Sequence, residues 1–236
     1  MYIDVFNGDA DGICALHQLR LAKPVDSLLV TGIKRDIGLL SRVSASEGDS
    51  VTVLDISLDK NREALMGLLD NGADVTYFDH HFAGDIPVHP QFSSNIDTQP
   101  DTCTSLLVNE TLQGKYLAWA VAAAFGDNLL DSAMQTAIPL DLSADNLELL
   151  KKLGTCINYN GYGTSLDDLY FYPADLYRRI KPYENPLNFI NEDDAFKVLL
   201  NGYEEDMLKA GAVVCESDDD NGTVYILPDE KWATLN

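Results

Sequence analysis

Apolar residues in the first half of the chain fall into short blocks that alternate between two periods. Tyr2–Phe6 is a compact apolar run that reads as a strand. From Asp11 to about Ala22, Ile13, Leu16, Leu19 and Leu21 recur at near-helical spacing. Ser27–Val30 reads as a second strand, Ile37–Val43 as a short helix and Val51–Ile56 as a third strand. Asn61–Asp70 follows as a helix with Gly72 placed to stop it, and Val75–Phe78 is a fourth strand running into Asp79. Strands separated by helices of about ten residues predict βαβ units and a parallel sheet.

The later pattern differs. Thr102–Leu112, Leu117–Phe125, Leu142–Leu153 and Glu192–Lys209 read as helices. Ser143 is placed to N-cap the third of these, Ser165 and Asp168 have the spacing of a capping box, and Asn185 precedes Pro186 at a first helical position. Thr223–Leu227 is one more strand pattern, with no obvious later partner. The expected fold class is α/β: a parallel sheet flanked by helices over residues 1–130, then a mostly helical extension over residues 131–236.

Composition narrows the class. The chain has 236 residues, of which 46% are hydrophobic, as in ordinary globular proteins. No apolar run approaches the roughly 20 residues of a membrane helix. The N-terminus enters a strand without a basic leader, so a cytoplasmic protein with no membrane partner is expected. Cys14, Cys103, Cys156 and Cys215 are far apart, which argues against a zinc ribbon or a disulfide framework. Charge changes the picture most. Lys and Arg total 16 against 38 Asp and Glu, a formal net charge of −22. Such a surface repels polyanions and lacks the footprint for gripping long duplex nucleic acid; adaptation to a salty cytoplasm explains it equally well.

The chemistry gathers after the strands. The first is followed by Asn7-Gly8-Asp9-Ala10-Asp11-Gly12, the third ends on Asp55, and the fourth on Asp79-His80-His81. Asp127 follows an apolar helix. Carboxyl ends of parallel strands are where open α/β sheets collect ligands, so these five acids and two histidines are expected on one rim. Packed carboxylates cannot all stay ionised without a cation. Two divalent ions roughly 3.5–4 Å apart would neutralise them and activate a water toward phosphorus. Carboxylate and imidazole donors suit Mn²⁺, Mg²⁺ or Co²⁺ better than a closed thiolate zinc site. Singly, each piece has a plainer reading: Asp-x-Asp-Gly as an Asx turn, a strand-end Asp as a helix cap. His17, within a helix, and His89, beside Pro90, read as structural or exposed.

In order, Asp9/Asp11, Asp55, Asp79-His80-His81 and Asp127 resemble the four successive motifs of the DHH phosphoesterase superfamily. That superfamily includes RecJ-type exonucleases, nanoRNase-type oligoribonucleases and pAp phosphatases, cyclic-dinucleotide phosphodiesterases and family II pyrophosphatases. The resemblance covers roughly residues 1–130. It implies a dimanganese site in which Asp9, Asp11, Asp55, His80 and Asp127 ligate metal, with Asp55 bridging. It implies that Asp79 orients a histidine and that His81 faces substrate as a phosphate contact or general acid. Thr104 and Ser105, in a segment similar to the one that follows the family's DHH motif, would offer helix N-terminal amides to a phosphate; a plain N-cap is the alternative. Lys34 or Arg35 would clamp a phosphate or form a solvated pair. Asn158–Gly163 reads either as a base-stacking turn or as a helix stop.

Two departures stand out. Pyrophosphatases and nanoRNases carry a metal-binding His where this chain has Val5; RecJ-type members carry an Asp where it has Asn7. An amide oxygen is a weaker, neutral ligand, so one metal is expected to bind loosely or with more waters. The Gly-Gly-Gly-His-type loop of a second, substrate-binding domain is also missing, as if this branch dispenses with that domain or the chain is truncated. The expected function is a divalent-metal-dependent phosphoesterase acting on small phosphorylated substrates or short single-stranded oligonucleotides, with a homodimer as the candidate assembly. The alternatives are an inorganic pyrophosphatase or polyphosphatase, against which Val5 weighs, and a catalytically weak or regulatory metal-binding relative. A haloacid-dehalogenase-type phosphatase also uses Asp-x-Asp but leaves His80-His81 unexplained.

Overall fold

In the computed structural model, residues 1–219, 222–228 and 230–234 are described. Five strands form one parallel sheet: β1 (Tyr2–Phe6), β2 (Leu28–Thr31), β3 (Ser50–Leu54), β4 (Asp74–Asp79) and β5 (Phe92–Ile96), in the order β2-β1-β3-β4-β5. The first four match the sequence pattern within a few residues. β5 was not expected: Phe-Ser-Ser-Asn-Ile is a half-polar edge strand, paired only with β4, and lacks the apolar run that marks a buried strand.

Period-two alternation gives the sheet two faces. Ile3, Val5, Val51, Val53, Val75 and Tyr77 share a core with Leu65, Leu68 and Leu69 of α2 (Leu58–Asp70). Residues 37–43, expected as a short helix, form only a 3₁₀ turn at Leu39–Arg42 in the same layer. The other face, with Phe6, Leu54 and Phe78, packs on α1 (Ala10–Ala22), which is flanked by α3 (Thr104–Thr111) and α4 (Leu117–Gly126).

The helical region continues through α5 (Leu130–Ala137), α6 (Ala144–Gly161), α7 (Pro173–Ile180), α8 (Pro186–Glu192) and α9 (Asp194–Gly211). Ser143 caps α6, Asn185 caps α8, and the Ser165–Asp168 capping box is formed. α4 is apolar all round and is buried between α1, α5 and α6. Gly154 lets α6 approach it: a Cβ there would lie 1.9 Å from the Ala122 carbonyl oxygen. One hydrophobic core joins Phe6 and Ile13 to Leu153, Leu176 and Leu199, so the helices of the second half close over the sheet face carrying α1. The last strand pattern pairs backward: β6 (Cys215–Asp219) and β7 (Gly222–Tyr225) form an antiparallel hairpin. Among the described residues, no helix is long and apolar enough to cross a membrane.

Candidate metal centre

The strand order reverses between β1 and β3, and the crevice at their carboxyl ends is where ligands collect in such sheets. β1 leads through Asn7-Gly8 into Asp9, the N-cap of α1, whose Oδ1 accepts the Asp11 and Gly12 amides at 3.0 and 3.1 Å. Those donors make a buried carboxylate tolerable at the start of a helix. Gly8 packs against the loop after β2; a Cβ there would lie 2.0 Å from the Gly32 carbonyl oxygen.

Asp11, near the start of α1, reaches across to α3. Its Oδ2 accepts the Thr104 amide and its Oδ1 the Ser105 amide, both at 2.7 Å, and Ser105 Oγ donates to the Asp11 carbonyl at 2.8 Å. Asp55 ends β3 with φ +60°, a left-handed conformation that costs a non-glycine residue about 1–3 kcal/mol. Its amide donates to the Phe78 carbonyl at 3.0 Å, and Thr104 Oγ1 donates to its Oδ1 at 3.2 Å. Asp127 is supplied by α4, as its C-cap.

His80 sits among these acids. Its Nε2 lies 3.4 Å from Asp55 Oδ1, 3.7 Å from Asp127 Oδ2 and 3.9 Å from Asp11 Oδ2. Ligand atoms each about 2.1 Å from one ion sit roughly 3–4 Å from one another, so these separations fit donors arranged around a cation. Two donor groups satisfy that spacing: Asp55, His80 and His81; and Asp11, His80 and Asp127, with all ligand atoms in each group within 4.8 Å. His81 Nδ1 hydrogen-bonds Asp79 Oδ1 at 2.7 Å, so the histidine that Asp79 holds is His81. Asp79 Oδ2 and Asn7 Oδ1 are buried and lack hydrogen-bond partners. Asn7, Asp9, Lys34, Asp55, both histidines and Asp127 line a cavity of about 150 Å³. A wider cleft of about 620 Å³ between Gly38–Ala45 and α2 gathers no comparable cluster.

The electrostatics record an excess of negative charge. Burial, then the repulsion of Asp9, Asp11, Asp127 and Asp79, pushes the Asp55 carboxyl far above the carboxylate range. Burial, with Asp11 and Asp9, raises Asp127 to about 6 against the opposing pull of Lys34. Burial also works to raise Asp9, but the Lys34 ammonium and the Gly12 amide outweigh it and the net shift is downward. The hydrogen bond to Asp79 raises His81 despite burial. A buried cluster with more carboxylates than its own cations neutralise relieves the repulsion by holding protons or by taking up a cation. The donor set, hard oxygens with imidazole and no thiolate, fits a divalent ion of the Mg²⁺ or Mn²⁺ type.

No family model matches this sequence, and no curated protein matches it. Among solved structures, the chain is similar to exonuclease RecJ bound to manganese (17% identity over 89% of this chain and 63% of that chain, TM-score 0.42). It is similar to RecJ in complex with Mn²⁺ from Thermus thermophilus (20% identity over 89% of this chain and 36% of that chain, TM-score 0.44). A third is an uncharacterized protein from Helicobacter pylori G27 (14% identity, 93% of this chain and 73% of that chain, TM-score 0.40). The chain therefore spans less than two thirds of the length of either RecJ chain.

Of the residues singled out in the sequence, Asp9, Asp11, Asp55, Asp79, His80, His81 and Asp127 come together on this rim. Thr104 and Ser105 are fully buried beneath it, and their amides are taken by Asp11 rather than presented to a phosphate. Arg35 is exposed and outside the cavity; its neighbour Lys34 lines it. His17 lies apart, its Nε2 2.8 Å from the Tyr183 carbonyl oxygen, and burial lowers its pKa to about 4. Asn158, within α6, accepts from Lys34 Nζ at 2.9 Å, a contact that sequence reasoning missed. The one signal was an amide-rich stretch interrupting the apolar pattern of that helix.

Proposed function

We propose that the protein is a divalent-metal-dependent phosphoesterase hydrolysing P–O bonds of small or short phosphorylated substrates, such as oligonucleotide ends and nucleotide phosphates. The observation that carries this reading is the convergence of Asp11, Asp55, His80 and Asp127 on one rim, with His80 Nε2 within 3.9 Å of all three carboxylates. The four-motif order that resembles the DHH phosphoesterases supports the same chemistry.

In this reading His80 would hold a cation with Asp11 and Asp127 in one donor group, or with Asp55 in the other. A bound divalent ion supplies positive charge to the phosphoryl oxygens and makes water a better nucleophile at neutral pH. The remaining work belongs to the chain. Thr104 and Ser105 orient Asp11, and Thr104 also steadies Asp55. Asp79 fixes the His81 ring through Nδ1, leaving Nε2 to carry a proton to the departing oxygen. The net charge of −22 and the 150 Å³ cavity favour a short substrate over a long polyanion.

The test is a panel of short single-stranded oligonucleotides, pAp and a generic phosphodiester with Mn²⁺-loaded protein. Release of mononucleotide or phosphate is expected. No turnover across the panel, with metal shown bound, would sink the reading in favour of a regulatory metal protein.

A further inference from the structure

Asp9 differs from the other acids of the cluster in its direct ammonium contact. Its Oδ1 is taken by two helix amides, its Oδ2 by the Lys34 ammonium at 2.7 Å, and its carboxyl also touches that of Asp55. Neither donor group with cation spacing includes it. The same ammonium lies 3.6 Å from Asp127 Oδ1, donates to Asn158 Oδ1 at 2.9 Å, and sits 5.3 Å from the centre of the Tyr162 ring. Its side chain is 23% exposed.

Nor is Lys34 a surface lysine that happens to fold inward. The Lys34 amide donates to the Gly161 carbonyl at 2.8 Å, and Asn7 Nδ2 donates to the Lys34 carbonyl at 3.4 Å. The backbone is thus tied both to the first motif and to the end of α6, and the side chain is delivered between Asp9 and Asp127. A positive charge held there between carboxylates does electrostatically what a metal ion between them would do, and it repels a second cation a few ångströms away. Asn7, neutral and with its Oδ1 unpartnered, adds no anionic donor that would favour a metal over the ammonium.

We propose that Lys34 occupies one cation position of this centre, between Asp9 and Asp127, so that the chain binds a single divalent ion, at His80. This rests on the metal-dependent reading above and revises the sequence-based expectation of two metals.

The test is metal counting on the full chain, by calorimetric titration of stripped protein with Mn²⁺ and elemental analysis after desalting, together with electron paramagnetic resonance. The wild type is expected to take one tight Mn²⁺ per chain with the six-line signal of an isolated ion. A second equivalent should bind at least 100-fold more weakly. Lys34→Met should raise the count to two and give the broadened spectrum of a spin-coupled pair. Two tight, coupled ions in the wild type would overturn the proposal while leaving metal dependence intact. No binding at millimolar Mn²⁺ would overturn both. A count of one in Lys34→Met, or in Lys34→Gln, would show that the lysine does not hold a cation position. Should neither variant fold, the wild-type count and spectrum still decide.

Discussion

Asp4 and Asp9 lie five residues apart, one within β1 and one just beyond it, and both are buried, yet their surroundings differ in kind. Asp4 accepts two hydrogen bonds from the Arg20 guanidinium and one from Ser27 Oγ at 2.6 Å, while Arg20 also reaches Thr52 Oγ1 at 3.1 Å. One carboxylate meets one guanidinium with the polar atoms paired, so the site is electrically closed. Asp9 belongs to a group of five buried or half-buried aspartates that shares a single ammonium and two histidines. Paired buried charge is a structural device; uncompensated buried charge must keep protons or take up a ligand.

Removing one partner of the closed pair should be the costliest change. Arg20→Met is expected to destabilise the fold by about 3–5 kcal/mol in chemical denaturation, because it leaves Asp4 buried and alone. Metal affinity should stay within a few-fold of wild type; a large loss would break the distinction between the two sites. At the open site, Asp55→Asn should weaken Mn²⁺ binding by about 100-fold or more in calorimetry, roughly 3 kcal/mol, while stabilising the metal-free protein. The opposite signs are the point, and loss of both affinity and metal-free stability would contradict the excess-charge account.

The pH dependence sharpens the contrast. Asp127 has a folded-state pKa of about 6 against 3.8 as a free side chain. The folded state therefore keeps its proton longer than the unfolded state does. Metal-free protein should lose stability as pH rises from about 4 through 6, on the order of 3 kcal/mol from this group. Denaturant midpoints across that range measure it, and Asp127→Asn should flatten the slope. The smallest effect belongs to an exposed pair. Arg179 Nη2 lies 2.7 Å from Asp193 Oδ1 at the surface, and Arg179→Ala should cost less than about 1 kcal/mol in the same assay.

Much of this was legible along the chain. The first four strands are short apolar runs bounded by turn residues, and the ends of the first, third and fourth carry acids, so local periodicity located Asp9, Asp11, Asp55 and the Asp79-His80-His81 triplet. Caps at Ser143, Asn185 and Ser165 are local too, because each side chain bonds an amide two or three residues ahead. β5 escaped because an edge strand needs no continuous apolar run. α5 and α7 escaped because each is only two turns long, and so few residues hardly reveal a helical period.

What the sequence determined by itself is the α/β class and the order of acids and histidines at the strand ends, since both follow from near-neighbour spacing. The tertiary structure alone decided what those residues do to one another. It set Asp11 to cap α3, 93 residues away, brought Lys34 to Asn158 across 124 residues, and gave the Asp79 carboxylate to His81. Sheet order and helix packing create those distances. No local pattern encodes whether a lysine after the second strand ends in solvent or between two buried carboxylates.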